Sequence, residues 1–348
     1  MRKCTIFLLT LLLLGSVSID AQRRRRPVKQ PVKVEDPRII QMLTGIQQIM
    51  FIDSMIVDKQ DFVRHIPLSS ECGILEMKDS LAQYTNEIGD HRLTTYFNPT
   101  DSLLQITVSD YIGNFWTTPT RSNGISNNSA NFPFIMPDGI TLYYAQKGEK
   151  SLGGYDLFVT RYDGENDTYL RAENLGMPFA SEANDYLYAI DEKYQLGYFV
   201  TDRRQPEDKV CIYVFVPNTT RKIYQSEAYS EEKLRSLARI DRISDTWSNM
   251  TIRNQALQRL KAARSEATGI KSKHQTTDRK PVSELGNLRH QAEVLEKSLL
   301  LARNYYARAS ENDRQTLRGE IIKSEKELET LQIEIRKKEK MQQNISHP

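Results

Sequence analysis

Few of the 348 residues are spaced for chemistry, and each group that is has a plainer reading beside it. Asp163, Glu165 and Asp167 in the run DGENDTY could crowd a cation, but the Gly and distal Glu of a calcium loop are missing, so they read as a polar turn. Carboxylates suited to glycoside hydrolysis are plentiful, and only folding decides which two share a cleft. The five His residues, His65, His91, His274, His290 and His347, are scattered, and no G-x-S-x-G, P-loop, H-E-x-x-H or C-x-x-C pattern occurs. No cofactor is implied, and no catalytic residue can be named. Cys72 and Cys211 have no companion ligand to make a metal site. In an oxidising compartment they could form one bridge, and two buried thiols are the equal alternative. Three tripeptides, Asp53-Ser54-Met55, Asp79-Ser80-Leu81 and Asp101-Ser102-Leu103, match the Asp-Ser/Thr-apolar pattern at which some gut-type bacteria attach O-linked glycans.

The elements that would position these residues begin after an unusual N-terminus. Arg2 and Lys3 precede an apolar run from Ile6 to Leu14, and Gly15, Ser16 and Ser18 lead to a cleavage point after Ala21, so residues 1–21 read as a signal peptide. The run is shorter than the ~20 apolar residues of a spanning helix. Arg23, Arg24, Arg25 and Arg26, with Lys29 and Lys33, place more positive charge after the run than before it, which keeps an uncleaved inner-membrane anchor as the alternative. Cys4 lies ahead of the run, so no lipid anchor is expected at its end. The chain is expected to be exported, periplasmic or outer-membrane-associated. Residues 22–44 read as a basic, proline-containing linker whose four arginines could touch an anionic membrane surface, with a solvated spacer as the plainer reading.

Beyond the linker, 39% hydrophobic and 27% charged residues are enough for a core, and a net charge of +3 is too small for a nucleic-acid binder. Fifteen of the 17 tyrosines lie between Tyr84 and Tyr229, beside Phe, Val, Leu and Ile in short runs separated by Gly, Asn, Asp and Pro. That composition predicts half-buried strands and tight turns, with no helical period to support a parallel sheet. Two stretches repeat. Tyr143-Tyr144-Ala145 matches Tyr198-Phe199-Val200, and Leu157-Phe158-Val159 matches Ile212-Tyr213-Val214, both 55 residues apart. A fainter copy precedes them at Tyr96-Phe97 and Ile106-Thr107-Val108.

At these residues the chain resembles the TolB-like β-propeller repeat family. Pro137-Asp138-Gly139, Leu142-Tyr143-Tyr144, Gly153-Gly154-Tyr155-Asp156-Leu157-Phe158-Val159 and Asn174-Leu175-Gly176-Met177-Pro178 follow the family's turn, aromatic strand, Gly-Gly-x-Asp-Leu strand and closing loop. Asp138-Gly139 suits a hairpin turn, Gly153 and Gly154 permit positive φ, and Asp156 can accept hydrogen bonds from loop amides. The resemblance implies a small or incomplete propeller over residues 45–226. About 180 residues at ~45 per blade allow about four blades. In a closed ring the first and last blades would bring Cys72 toward Cys211. Relatives often carry a peptidoglycan-binding domain after the propeller, and none is visible here.

Instead the chain turns helical. Ile240, Ile243, Trp247, Met250, Asn254 and Leu257 step by three and four, predicting a helix over 230–268, and residues 269–282 read as a linker. Leu288, Ala292, Leu295, Leu299, Ala302, Tyr306 and Ala309, then Leu317, Ile321, Ser324, Leu328, Leu331 and Ile335, form two seams within 283–343. They suit a helical hairpin or a short coiled coil that restarts near Ser310 to Asp313. The expected role is non-catalytic: a protein-binding or scaffold protein of a bacterial cell envelope that uses propeller loops and helices for contacts, with self-association through the helices. The alternative is an exported carbohydrate- or peptide-processing enzyme with an acidic loop site.

Overall fold

Short runs of β-branched and aromatic residues bounded by turn formers should give hairpins, and the computed structural model is a mixed β/α protein of mostly antiparallel sheets with C-terminal helices. It describes residues 35–112, 115–125, 127–273, 284–309 and 311–346. The chain divides into two units, Met1–Glu35 and Asp36–Pro348, and nearly all described residues belong to the second. The signal peptide, the four arginines and most of the basic linker lie outside the described residues.

The linker's end departs from expectation. Pro37–Leu43 forms helix α1 (37–43), with Asp36 as N-cap accepting the Arg38 N–H and Pro37 at the first helical position. Ile39, Met42 and Leu43 give it an apolar side, which joins Ile46, Met177 and Leu237 in a small core of their own.

The strands follow in order. β1 (Met50–Asp58) comes first, and two short 3-10 turns, Phe62–His65 and Ser70–Cys72, lead on from it. The first sheet contains β2 (Ile74–Lys78), β3 (Leu81–Thr85), β4 (His91–Asn98), β5 (Leu103–Ile112), β6 (Phe115–Trp116) and β7 (Thr120–Arg121). The second contains β8 (Ser129–Ile135), β9 (Thr141–Lys147), β10 (Asp156–Asp163), β11 (Thr168–Tyr169) and β12 (Glu173–Asn174). The third contains β13 (Asp185–Asp191), β14 (Leu196–Thr201) and β15 (Lys209–Val216), and β1 returns to pair with β15, giving the order β1-β15-β14-β13.

The described residues therefore form three sheets, where residue arithmetic suggested about four units. Residues 45–73 build no unit of their own, because they supply the outer strand of the last sheet and the 3-10 turns that follow it. The 55-residue repeat is real at the level of hydrogen-bond register. Tyr143 pairs with Val159 and Tyr198 with Val214, while Phe134 pairs with Tyr143 and Ala189 with Tyr198. Both first strands carry an irregularity near their start, between Asn131 and Phe134 and between Asp185 and Leu187. The fainter copy is faint for a physical reason. Tyr96 and Phe97 sit at the exposed end of β4, while Tyr144 and Phe199 are fully buried.

One continuous core runs through all three sheets, with β8 touching β3, β4 and β5 on one side and β13 on the other. Phe132 meets Phe62 and Tyr186 within it, and Tyr84 meets Phe134 edge-on.

The predicted helix over 230–268 is broken. Helix α2 (Glu231–Arg239) begins at Ser230, whose side chain accepts the Lys233 N–H, and ends at Ile240 in the left-handed conformation with φ 55°. A 3-10 turn, Ile243–Thr246, then precedes helix α3 (Met250–Lys273). The break anchors the tail. Thr246 Oγ1 accepts the Phe51 N–H at 3.0 Å and Trp247 Nε1 donates to the Phe51 carbonyl at 2.7 Å, beside the bulge in β1. Helix α3 lies against β1 and β14, with Arg264 on Asp53 at 2.9 Å.

Helices α4 (Glu284–Arg308) and α5 (Glu311–Ser346) make the expected hairpin. Arg289 reaches Glu339, Gln332 reaches Glu296 and Arg303 reaches Glu325, at 2.7, 3.1 and 2.7 Å. Partners step by seven residues along each helix, the spacing of an antiparallel coiled coil. Ala302, Ala309 and Leu317 gather against Ile112, tying the hairpin to the first sheet.

Candidate functional site

The family-motif residues divide between two ends of the second sheet. Pro137, Asp138 and Gly139 form the turn from β8 to β9, with Gly139 at φ 69°. Asp138 accepts the N–H groups of Ile140 and Thr141 at 2.8 Å and the Thr141 hydroxyl at 2.7 Å. Partial burial would raise its carboxyl pKa, but those three donors and Arg161 outweigh it and hold the value below the ordinary one. The hydrogen bonds of Asp138 all fall within its own turn, so it shapes the hairpin.

Gly153, Gly154, Asp156, Asn174, Leu175 and Gly176 converge at the other end. Asp156 is fully buried and its Oδ2 accepts the Leu152 N–H at 3.0 Å and Asn174 Nδ2 at 2.8 Å. Asn174 Oδ1 accepts the Gly176 N–H at 2.8 Å, and Gly176 turns the chain with φ 72°. Gly153 and Gly154 are needed for a different reason from the one expected. Neither has positive φ, and both lie against the incoming segment before β13, where a Cβ would stand 2.1 Å from the Glu182 carbonyl and 1.9 Å from Asn184 Oδ1.

That incoming segment carries residues that repeat-based reasoning did not select. Asp185, the first residue of β13, is fully buried and pairs with Arg203 at 2.8 Å. Ser181 Oγ donates to the other carboxylate oxygen at 2.9 Å. The Arg203 guanidinium also donates to the Pro178 carbonyl at 2.9 Å, and its Nε to Thr201 Oγ1 at 3.2 Å. A sequence signal for this pair was slight: an Asp and an Arg flanking two strands that pair as a hairpin. Next to it, Asp202 accepts from Asn184, Tyr186 and Lys59, fixing the same segment from the other side.

The electrostatics of the cluster follow from its enclosure. Burial pushes the Asp156 carboxyl up to about 7, the neighbouring Asp185 charge adds to the rise, and Asn174 and the Leu152 and Ser181 amides temper it. Asp156 Oδ1 lacks a hydrogen bond of normal geometry. Burial also pushes Asp185 up, opposed first by Arg203. An acid with this pKa has the proton affinity of a general acid or base, and here the carboxyl is fully enclosed by protein.

The cluster holds segments that are distant in the chain. It clamps the loop after β12, whose Phe179 is wholly buried against Phe51, Tyr188, Phe199 and Phe215 of the third sheet, with centroids 4.8 to 6.3 Å away. No family model matches the chain, and no curated protein matches it. The chemistry of the cluster itself is thus the guide to its role.

Other predicted groups stay apart. Asp163 accepts from the Glu165 N–H and from Asn166 Nδ2 within its own exposed turn. Among the described residues no group of three or more His, Cys, Asp or Glu could hold a metal ion, and no helix is long and apolar enough to cross a membrane. Cys72 and Cys211 are two free, buried thiols, the second of the two alternatives. Cys72, in the 3-10 turn Ser70–Cys72, packs against the third sheet with its Sγ 3.9 Å from the Ile190 carbonyl on β13, two strands away from Cys211 on β15. Burial first, then the Asp191 charge, pushes the Cys72 thiol up to about 12, which disfavours the thiolate.

Proposed function

We propose that this chain is a non-catalytic binding or scaffold protein of a bacterial cell envelope, exported through its N-terminal segment and built on a TolB-like, propeller-related arrangement of three sheets. The observation that carries the reading is the use of the motif residues. Gly153, Gly154, Asp156 and Asn174 are consumed in clamping the Phe179 loop, which leaves turns and helices as the accessible features. The matching registers of the second and third sheets, and the return of β1 to close the third, support the repeat kinship. Partner contacts then fall to the exposed hairpin turns and to the helical hairpin, where Leu300, Ile322 and Ile333 are exposed apolar residues suited to a protein partner or a second copy.

A photo-crosslinking residue at Ile140 or Ile333 of the full chain, irradiated in living cells, tests this. Reproducible adducts with one envelope protein, or with a second copy, support it. A chain that forms no adducts but turns over a glycan or peptide panel, with turnover lost in Asp156→Asn, favours the enzyme reading, for which the carboxyl held near pH 7 is the supporting observation.

A further inference from the structure

Two of the three Asp-Ser-apolar tripeptides occupy equivalent places in the fold. Asp79 and Ser80 are the whole connection between Lys78 and Leu81, which pair directly, and both have positive φ, 51° and 64°. Ser102, at φ 56°, ends the loop between Asn98 and Leu103, which also pair. Since β2 and β4 are each antiparallel to β3, the two turns project from the same end of the first sheet.

Strand β8 fixes both turns from behind. Asn131 Nδ2 donates to the Ser80 carbonyl at 2.8 Å, Asn131 Oδ1 accepts the Ala82 N–H at 3.1 Å, and Ser129 Oγ accepts the Leu104 N–H at 3.2 Å. Asp79, Ser80, Asp101 and Ser102 are all exposed. Backbone geometry does not ask for serine here, because Gly or Asn adopts positive φ with less strain. Asp101 braces its own loop, accepting the Leu103 N–H at 3.1 Å and Gln105 Nε2 at 2.6 Å, beside the exposed Ser102. The third tripeptide differs. Ser54 sits mid-strand in β1, opposite Tyr213, where drawing the backbone into an enzyme cleft would unpick the third sheet.

We propose that Ser80 and Ser102 are O-glycosylation sites, paired at one end of the first sheet, and that Ser54 is not one. The proposal rests on the export reading above. In the transfer, the serine Oγ bonds to the anomeric carbon of a sugar carried on a lipid diphosphate. The bond from that carbon to the diphosphate oxygen breaks, the diphosphate leaves with the electron pair, and the hydroxyl proton passes to a base of the transferase. A glycan at both turns would cover this end of the first sheet and direct protein contacts to the other surfaces.

The test uses the full chain expressed in the organism that encodes it and recovered by cell fractionation, with intact mass and glycan-retaining peptide fragmentation as readouts. Envelope-fraction protein is expected to carry two glycan increments, one lost in Ser80→Gly and one in Ser102→Gly, with none lost in Ser54→Ala. Glycine suits the positive φ, so the variants keep the fold. Exported protein of unmodified mass overturns the proposal, as do increments that survive in the Ser80→Gly, Ser102→Gly double variant. A chain retained in the cytoplasm removes the export reading and this proposal with it.

Discussion

Arg203 Nη2 lies 2.8 Å from Asp185 Oδ1, with 6% of the arginine side chain and none of the aspartate exposed. The pair joins the start of β13 to the turn after β14, and the arginine's remaining donors reach the Pro178 and Ala238 carbonyls. One guanidinium thereby holds the Phe179 loop, the third sheet and the end of α2 together. Taking two charges out of water is costly, so the pair's value lies in fixing this geometry rather than in a large net stabilisation.

Removing one partner should be severe. Arg203→Ala leaves Asp185 buried with its main counter-charge gone, and a loss of about 3–5 kcal/mol in urea unfolding is expected. Combining it with Asp185→Asn should recover part of that loss. If the double variant is no more stable than the single, the charge pair is not what holds the corner.

Asp156 gives the protein a pH signature of definite sign. The folded state keeps its proton up to about pH 7, whereas the unfolded chain releases it near 3.8, so between these values the folded state binds more protons. The stability this group contributes is fully present below about pH 4 and lost as pH rises through about 7, with a ceiling on the order of 4 kcal/mol. Asp156→Asn keeps an acceptor for Leu152 and Asn174 but cannot ionise. Relative to the parent, it should gain in unfolding midpoint from pH 5 to pH 8, and parallel curves would count against the assignment.

Two glycines should respond in opposite directions. Gly153→Ala drives a Cβ into the Glu182 backbone, which cannot yield without moving the β13 approach, and a loss of about 3 kcal/mol is expected. Gly319 lies exposed in α5 with nothing within 4 Å of its Cβ position, so Gly319→Ala should stabilise by ~0.5–1 kcal/mol. Thermal unfolding of both variants under one condition provides the comparison.

The helical hairpin and the first sheet should unfold as coupled parts. Ile112 is 3% exposed and Leu317 1%, in one apolar cluster. Ile112→Ala and Leu317→Ala are each expected to cost about 2–5 kcal/mol. In a double-mutant cycle their effects should depart from additivity by ~0.5 kcal/mol or more. Strict additivity would show that the hairpin is not seated on Ile112.

Much of the β-region was legible because strand alternation and turn chemistry are local. Phe51 to Val57, Leu103 to Val108 and Val210 to Val216 read as strands from their β-branched and aromatic residues alone, and they lie in β1, β5 and β15. The Ile74 to Thr85 hairpin escaped notice, since its mixed residues and Asp79-Ser80 turn carry little pattern, as did the early part of β8. Helix α1 was masked by the basic charge before it, although Asp36-Pro37 is a clear start signal. The seam drawn from Ile240 to Leu257 crossed a left-handed residue that periodicity cannot register. At the cluster, Asp156 and Asn174 were visible as motif positions, whereas Asp185 and Arg203 became partners only through the pairing of β13 with β14.

The sequence by itself determined much of the local vocabulary: many of the strand runs and turns, the 55-residue repeat, and the seams of the hairpin. These depend on residues near one another in the chain, where side-chain alternation and backbone preference act directly. Tertiary structure alone decided that β1 returns to complete the last sheet, that the sheets number three among the described residues, and that Asp156 is enclosed. Burial and desolvation belong to no single segment. They arise only when distant segments meet, and here that meeting encloses the Asp156 carboxyl and raises its proton affinity.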